Sequence, residues 1–372
     1  MGILIEPYAT EEQAAAACAF NQRMRDRGQT EYLLGVRPPA AGSSEDAAVI
    51  RDRFYLATED GAVRGGLLLA AFPAAFGSGA ECDVLNCREP LSEAIIDAKY
   101  SFLALRLLKF MQQQGPYLFA LGMGGEDRPF PRLLKSAGWT VSQVPFLFHV
   151  VCARRFLKEL RLLRASPARR MLAGLAAASG MGRVAISALQ FRSVIAARAP
   201  RGFAIEPVTV WGEWVDELWE RCRGENSFAI RRDLRTVRAL YPLENRTRGY
   251  LIRQDGQPVG WIAALSTPMR QHKYFGDLQV ATLLDGVALP GAKLASIVLA
   301  SRALAREGAE LLVTNQSHTD WVQVFRAAGY LSASSNYILA LSKLLAAQIA
   351  LQPGGLARMH FTRGDSDGRI FL

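Results

Sequence analysis

The chain is poor in the residues that carry redox, metal or covalent chemistry. Its 372 residues include only 5 cysteines and 4 histidines. The cysteines (Cys18, Cys82, Cys87, Cys152, Cys222) are odd in number and irregular in spacing, and no C-x-x-C occurs. That argues against a disulfide framework and a structural zinc site, and it fits a reducing compartment. No metal is expected. Long apolar runs are also missing. The most apolar stretch, Met171 to Gly182, is far shorter than the roughly twenty residues a membrane span needs. The N-terminus, Met1-Gly2-Ile3-Leu4-Ile5-Glu6, has no basic region leading into an apolar one, so no signal peptide is expected. A cytoplasmic protein is the resulting expectation. There is no G-x-S-x-G elbow and no G-x-x-x-x-G-K-[ST] loop, and Gly122-Met123-Gly124-Gly125 does not complete a dinucleotide fingerprint.

What is present is ordinary globular composition with an uneven charge. Half of the residues are apolar and 21% are charged, which for this length suggests two domains. The net charge is +10. Between Arg154 and Arg201 lie eleven basic residues and one acid, Glu159, so this segment holds the whole excess. Phe156, Leu157, Leu160 and Leu163 alternate there with Lys158, Arg161 and Arg164 at helical spacing, and Pro167 interrupts. Such an arm fits a solvated helical linker, a helix drawn to the anionic inner face of a membrane, or a nucleic-acid contact.

Three landmarks occur twice in the same order. Ile5-Glu6-Pro7 returns as Ile205-Glu206-Pro207. Tyr55-Leu56, Asp60-Gly61 and Gly65 return as Tyr250-Leu251, Asp255-Gly256 and Gly260. Lys135-Ser136-Ala137-Gly138-Trp139 returns as Arg326-Ala327-Ala328-Gly329-Tyr330. The local patterns agree. Apolar runs flank each Asp-Gly pair, which predicts two hairpins. A helix follows each, near Tyr100 to Gln114 and near Ala292 to Glu307, with Gly115 and Gly308 at the C-terminal caps. Short strands come next, at Tyr117 to Leu121 and Glu310 to Thr314. Each repeat then has a short helix ending at the Gly-aromatic pair and a last strand, at Pro145 to Val151 and Tyr337 to Leu341. The predicted fold class is α/β with mixed sheets: an N-terminal lobe over 1–151, a basic helical arm over 152–201, a C-terminal lobe over 202–350 and a tail over 351–372. The tail's Asp365-x-Asp367-Gly368 is too short for a calcium loop and reads as a turn.

This order of elements resembles, twice over, the GNAT superfamily of acyl-CoA-dependent N-acyltransferases. The match is most specific at Leu312-Val313-Thr314-Asn315, a strand ending in Asn, and at the short helix closing on Gly329-Tyr330. Lobe one keeps only Arg132 to Trp139. The tandem arrangement also resembles Fem-type aminoacyl transferases. The resemblance implies acetyl-CoA or another acyl-CoA as donor and a small-molecule or saccharide amine as acceptor, such as an amino sugar of a cell-surface polysaccharide precursor. Aminoacyl transfer from tRNA and a non-catalytic module are the alternatives. The family's pyrophosphate loop, Arg/Gln-x-x-Gly-x-Gly/Ala, is only partly kept. Lobe two has Ala288-Leu289-Pro290-Gly291-Ala292-Lys293, where Gly291 survives and Lys293 could meet phosphate as a point charge. Lobe one has Arg88-Glu89-Pro90-Leu91-Ser92-Glu93, with both glycine positions lost and two carboxylates added. Lobe two is therefore expected to bind the donor, and lobe one to be degenerate. A tyrosine that often serves this family as general acid is replaced by Phe325 and Leu134.

The site residues implied in lobe two each have a plainer reading. Asp285, where the family often keeps a carboxylate, is a base or amine binder, or a turn aspartate before Gly286. His318 is a substitute proton donor, its ordinary pKa near 6.5 suiting the task, or a helix cap. Asn315 binds donor or acceptor, or starts a turn. His272 and Tyr274 form an acceptor-binding lip, or a plain hairpin tip. His149, between Phe148 and Val150, reads as structural.

Overall fold

The computed structural model describes residues 2–30, 33–35, 49–160, 179, 181–194, 201–243 and 246–366. The first repeat supplies β1 (Leu4–Pro7), β2 (Arg51–Glu59), β3 (Ala62–Phe76), β4 (Glu81–Ser92), β5 (Leu118–Leu121), β6 (Thr140–Gln143) and β7 (Phe146–Val150). The second supplies β8 (Phe203–Val208), β9 (Phe228–Ile230), β10 (Thr247–Gln254), β11 (Gln257–Pro268), β12 (Gln279–Ala288), β13 (Leu311–Asn315), β14 (Leu331–Ala333), β15 (Ile338–Leu341) and β16 (Met359–His360).

Two compact units form from discontinuous chain. The first takes Met1–Ala74, Glu81–Ser142 and Ile338–Ile349; the second takes Ala75–Ala80, Gln143–Tyr337 and Ala350–Leu372. The first sheet runs β1-β2-β3-β4-β5-β15-β6. The second runs β8-β10-β11-β12-β13-β7-β14. The order is the same in both, with one difference from expectation: the last strand of each repeat lies in the other unit's sheet. β15 pairs antiparallel with β5 (Leu339↔Leu121, Leu341↔Phe119). β7 pairs antiparallel with β13 (Leu311↔Val150, Asn315↔Phe146). Lobes drawn as continuous chain thus have the right elements and the wrong closing strand. Both strands are short and apolar, so either can cover the same open edge.

The hairpins form as the Asp-Gly signal predicts. Asp60 (φ 52°) and Gly61 (φ 77°) link β2 to β3, while Asp255 (φ 49°) and Gly256 (φ 82°) link β10 to β11. Positive φ at both central residues is the type I′ turn, whose twist suits a two-residue hairpin. The repeated glycines Gly65 and Gly260 have a different cause. A Cβ at Gly65 would strike the Leu91 carbonyl, and one at Gly260 would strike Ala288 and Ser296.

The core of the first unit joins Leu67 and Leu69 to one face of the helix Leu103–Gln113 (Leu103, Leu107, Leu108, Met111). That of the second joins Ile262 and Leu283 to Ile297 and Leu304 of the helix Lys293–Arg306. Leu134 and Phe325 are both buried in these cores. Gly308 caps its helix at φ 97°, as expected. Gly115 does not take the left-handed conformation, and instead lies close against Leu85.

The arm begins as part of the second unit. Its first helix, Ala153–Glu159, buries Phe156 beside Phe148. Arg155 donates to Glu310 (3.0 Å), to Glu159 (3.1 Å) and to the Asp277 carbonyl (2.7 Å). Arg161, Arg164, Pro167, Arg169, Arg170 and Arg198 lie outside the described residues, as does the tail from Asp367. No helix among the described residues is long and apolar enough to cross a membrane.

Candidate active site

In the second unit the two parallel strands part. β12 and β13 pair only at Val280↔Leu311, Ala281↔Leu312 and Thr282↔Val313. Past Thr282, β12 continues along β11 to Ala288, and β13 continues along β7 to Asn315. A bulge accompanies the divergence. Ala264 pairs with Leu283 and Ala263 with Asp285, so Leu284 falls outside the ladder. A bulge bends its strand and leaves one residue unpaired. Thr314 Oγ1 spans the opening and donates to the Leu283 carbonyl at 2.9 Å.

Asp285 follows the bulge and is fully enclosed. Its Oδ2 accepts from Arg232 Nε and from the Tyr241 hydroxyl (2.6 Å). Its Oδ1 accepts from the Gly286 N–H (2.8 Å) and lies 3.0 Å from His360 Nε2. Arg232 also donates to Asp365 Oδ1 (2.5 Å) and to the Ile230 carbonyl (2.7 Å). Burial alone would raise the Asp285 carboxyl. The Arg232 guanidinium outweighs it, together with the hydrogen bonds from His360 and Tyr241, and holds the group well below the usual carboxylate range. The companion carboxyl, Asp365, is shifted upward, chiefly by burial, with Arg232 opposing. Burial also pushes the Tyr241 hydroxyl far up, with the Asp285 charge adding to the effect. Asp285 is thus neither a free base nor a turn residue. It is a strand residue with both oxygens engaged, suited to orienting its partners.

Those partners come from places that carry no motif in the sequence. Arg232 follows β9, Tyr241 ends the helix Leu234–Leu240, and His360 and Asp365 come from the tail. The tail is built into the unit. β16 pairs in parallel with β9 (Met359↔Phe228, His360↔Ala229). On its other side, Ser317 Oγ donates to the Met359 carbonyl and accepts from the Phe361 N–H, both at 2.7 Å. Thr362 and Asp365 close a capping box around a short turn. Gly364 approaches Tyr241 so closely that a Cβ there would overlap its ring. The Thr-x-x-Asp spacing is a readable capping signal, and it is the one local clue to the order of this segment.

His318 takes the plainer of its two readings. Its Nδ1 accepts from the Asp320 N–H at 3.2 Å and caps the helix Thr319–Ala327, and its Nε2 lies 3.4 Å from the Glu225 carbonyl. Burial, above all, lowers its pKa to about 4. It is a neutral cap with both ring nitrogens committed. Asn315 is also committed: its amide donates to the Val144 and Pro145 carbonyls at 3.3 Å, fastening the approach to β7.

Lys293 opens the helix Lys293–Arg306, which has no side-chain cap. Its Nζ is 3.4 Å from Glu225 and lies over the Trp321 ring at 5.6 Å. Gly291, just before it, is exposed, and a Cβ there would meet nothing within 4 Å. A cavity of about 20 Å³ lies at this end of β12, lined among others by Cys222, Glu225, Arg232, Lys293, Trp321 and His360. Burial, with the Glu225 charge adding, pushes the Cys222 thiol up to about 11, so it stays protonated there. His272 and Tyr274 do not line the cavity. The His272 ring accepts the Tyr274 and Phe275 N–H groups (3.3 Å each) within its own turn, and Tyr274 is half exposed. His149 is held by the Gly329 carbonyl at 3.2 Å, a structural role.

No protein-family model and no curated protein matches the sequence. Solved structures do. A GCN5-related N-acetyltransferase from Anabaena variabilis aligns over 94% of this chain and 74% of its own, at 13% identity and TM-score 0.53. A tandem GNAT protein from the clavulanic acid biosynthesis pathway aligns over 92% of this chain and 99% of its own, at 13% identity and TM-score 0.46. Saccharomyces cerevisiae N-myristoyltransferase with bound myristoyl-CoA aligns over 91% and 78%, at 10% identity and TM-score 0.49. The assignment rests on the first of these and on the strand order: the chain has the GCN5-related N-acetyltransferase fold, with its strand order built twice.

Proposed function

We propose that the second unit transfers an acyl group from an acyl-CoA thioester to an amine. The observation that carries this reading is the opening between β12 and β13 beyond Thr282 and Val313, which lies beside an uncapped helix N-terminus. Ligands of parallel strands bind where the carboxyl ends diverge, because backbone groups there lose their ladder partners. A thioester carbonyl needs N–H donors where its charge develops, and the strand irregularity at Leu284 takes one residue out of the ladder there. A pyrophosphate needs unpaired N–H groups and a positive dipole. The turn through Gly291 and the first turn of the helix Lys293–Arg306 supply that chemistry, with Lys293 adding charge. The first unit is proposed as a partner that binds no donor.

The test is a calorimetric titration with acetyl-CoA, longer acyl-CoAs and free CoA. Saturable binding is expected, and Gly291→Glu abolishes it. The exposed position accepts the larger side chain, so the loss would be electrostatic. Wild-type protein that binds none of these at millimolar concentration overturns the reading.

A further inference from the structure

Among the buried side-chain atoms of the second unit without a hydrogen-bond partner among the described residues is one imidazole nitrogen. His360 is 3% exposed. Its Nε2 faces Asp285 at 3.0 Å, while its Nδ1 is buried without a partner among the described residues. A carboxylate that accepts from one ring nitrogen fixes the tautomer and leaves the lone pair on the other. The carboxylate itself cannot turn away, since Arg232, Tyr241 and the Gly286 N–H hold both its oxygens. His360 also lines the cavity of about 20 Å³, which is room for one water and has the polar walls a water needs.

We infer that His360, oriented by Asp285, is the general base of the acyl transfer, taking the acceptor's proton at Nδ1 through one water in this cavity. The inference rests on the acyl-CoA reading above. The amine nitrogen attacks the thioester carbonyl carbon and forms the C–N bond. The N–H proton passes through the water to Nδ1. The C–S bond breaks, its electron pair leaves with sulfur, and the imidazolium returns the proton to the thiolate by the same water. Amine and thioester become amide and free thiol, and His360 is restored. The other candidates are occupied. Both oxygens of Asp285 are engaged, and His318, whose ring lies 6.2 Å from that of His360, uses both its nitrogens. Asp285 is then a positioning residue, and Arg232 with Asp365 fixes Asp285 in turn.

The test has two readouts on the full chain. Heteronuclear NMR of histidine-labelled protein should show the His360 proton on Nε2 and a bare Nδ1, and Asp285→Asn should lose that preference. A proton found on Nδ1 overturns the inference. The second readout is thiol release from acetyl-CoA with a panel of small primary amines, beside acetyl-CoA binding. His360→Gln keeps an amide that can donate to Asp285 but removes the base. Turnover should fall about 100-fold or more while acetyl-CoA affinity stays within about twofold. A His360→Gln protein that binds acetyl-CoA and turns over like wild type overturns the inference and leaves the acyl-CoA reading standing. Wild-type protein that binds no acetyl-CoA ends that reading. The general base falls with it, whichever ring nitrogen carries the proton.

Discussion

The two units share a strand order and differ in what fills the end of β4 and of its counterpart β12. In the first unit, Glu93 is buried between Arg23 (2.7 Å) and Arg64 (3.1 Å). One carboxylate between two arginines satisfies itself, and both arginines keep some contact with solvent. Ser92 caps the short turn that begins there. In the second, one arginine faces two carboxylates, and a histidine and a tyrosine share the load, all enclosed. The turn Pro290–Ala292 there has no side-chain cap and leads straight into an uncapped helix. The apolar pattern that builds the sheet survived in both repeats. The polar filling diverged, and the proposed function rests on that difference.

The largest contrast should come from removing the central charges. Arg232→Met leaves Asp285 and Asp365 buried without a counter-charge and should cost about 3–5 kcal/mol. Glu93→Gln keeps the shape and one accepting oxygen beside partly solvated arginines and should cost about 1 kcal/mol. Equal losses in denaturant unfolding would mean the two clusters are alike in kind.

Acid provides the next test. The unfolded chain protonates His318 near pH 6.5, and the folded chain refuses that proton until about pH 4. The folded state is therefore stabilised above this window, and stability falls as pH drops through it, by about 3 kcal/mol in all. His318→Asn keeps a capping oxygen and should remove this slope with little change at neutral pH. The corresponding helix of the first unit, Pro129–Ser136, begins at Arg128 without a side-chain cap and holds no histidine. If the slope persists in the variant, the acid sensitivity lies elsewhere. Asp285 also loses stabilisation on acidification, beginning in the ordinary carboxylate range and continuing below it. The smallest effect expected is that of Thr314→Val, which removes the bond to the Leu283 carbonyl and should cost about 1 kcal/mol. A change in acetyl-CoA affinity larger than that loss would mark the opening itself as the binding groove.

Much of the fold is readable locally. The type I′ turns at Asp60-Gly61 and Asp255-Gly256 depend only on residues that tolerate positive φ. The apolar faces of Leu103–Gln113 and Lys293–Arg306 follow from helical spacing. The exchange of β7 and β15 is not readable, because Phe146–Val150 and Ile338–Leu341 are equally short and apolar, and pairing partners are set by distant sequence. The site is legible in part. Asp285 and Lys293 stand out in the sequence; Asp285 lies in the enclosed polar cluster and Lys293 lines the cavity. Their surroundings do not stand out, because these depend on Arg232, Tyr241, Glu225 and His360, which are far apart in the chain. The stretch leading into β16, Gln352-Pro353-Gly354-Gly355, looks like loose chain, and the strand after it is ordered by distant partners, β9 on one side and Ser317 on the other.

The exchanged strands also bear on how the protein is made. A ribosome delivers β5 long before β15, and until Ile338–Leu341 emerges one side of Leu118–Leu121 has no neighbour. Strand edges left open during synthesis invite wrong partners. The leading half must wait, unfinished, for nearly the last piece of the trailing half. The trailing half, by contrast, finds β7 already waiting when β13 arrives. The two repeats, alike in pattern, are thus no longer separable modules, because each needs the other's final strand to close.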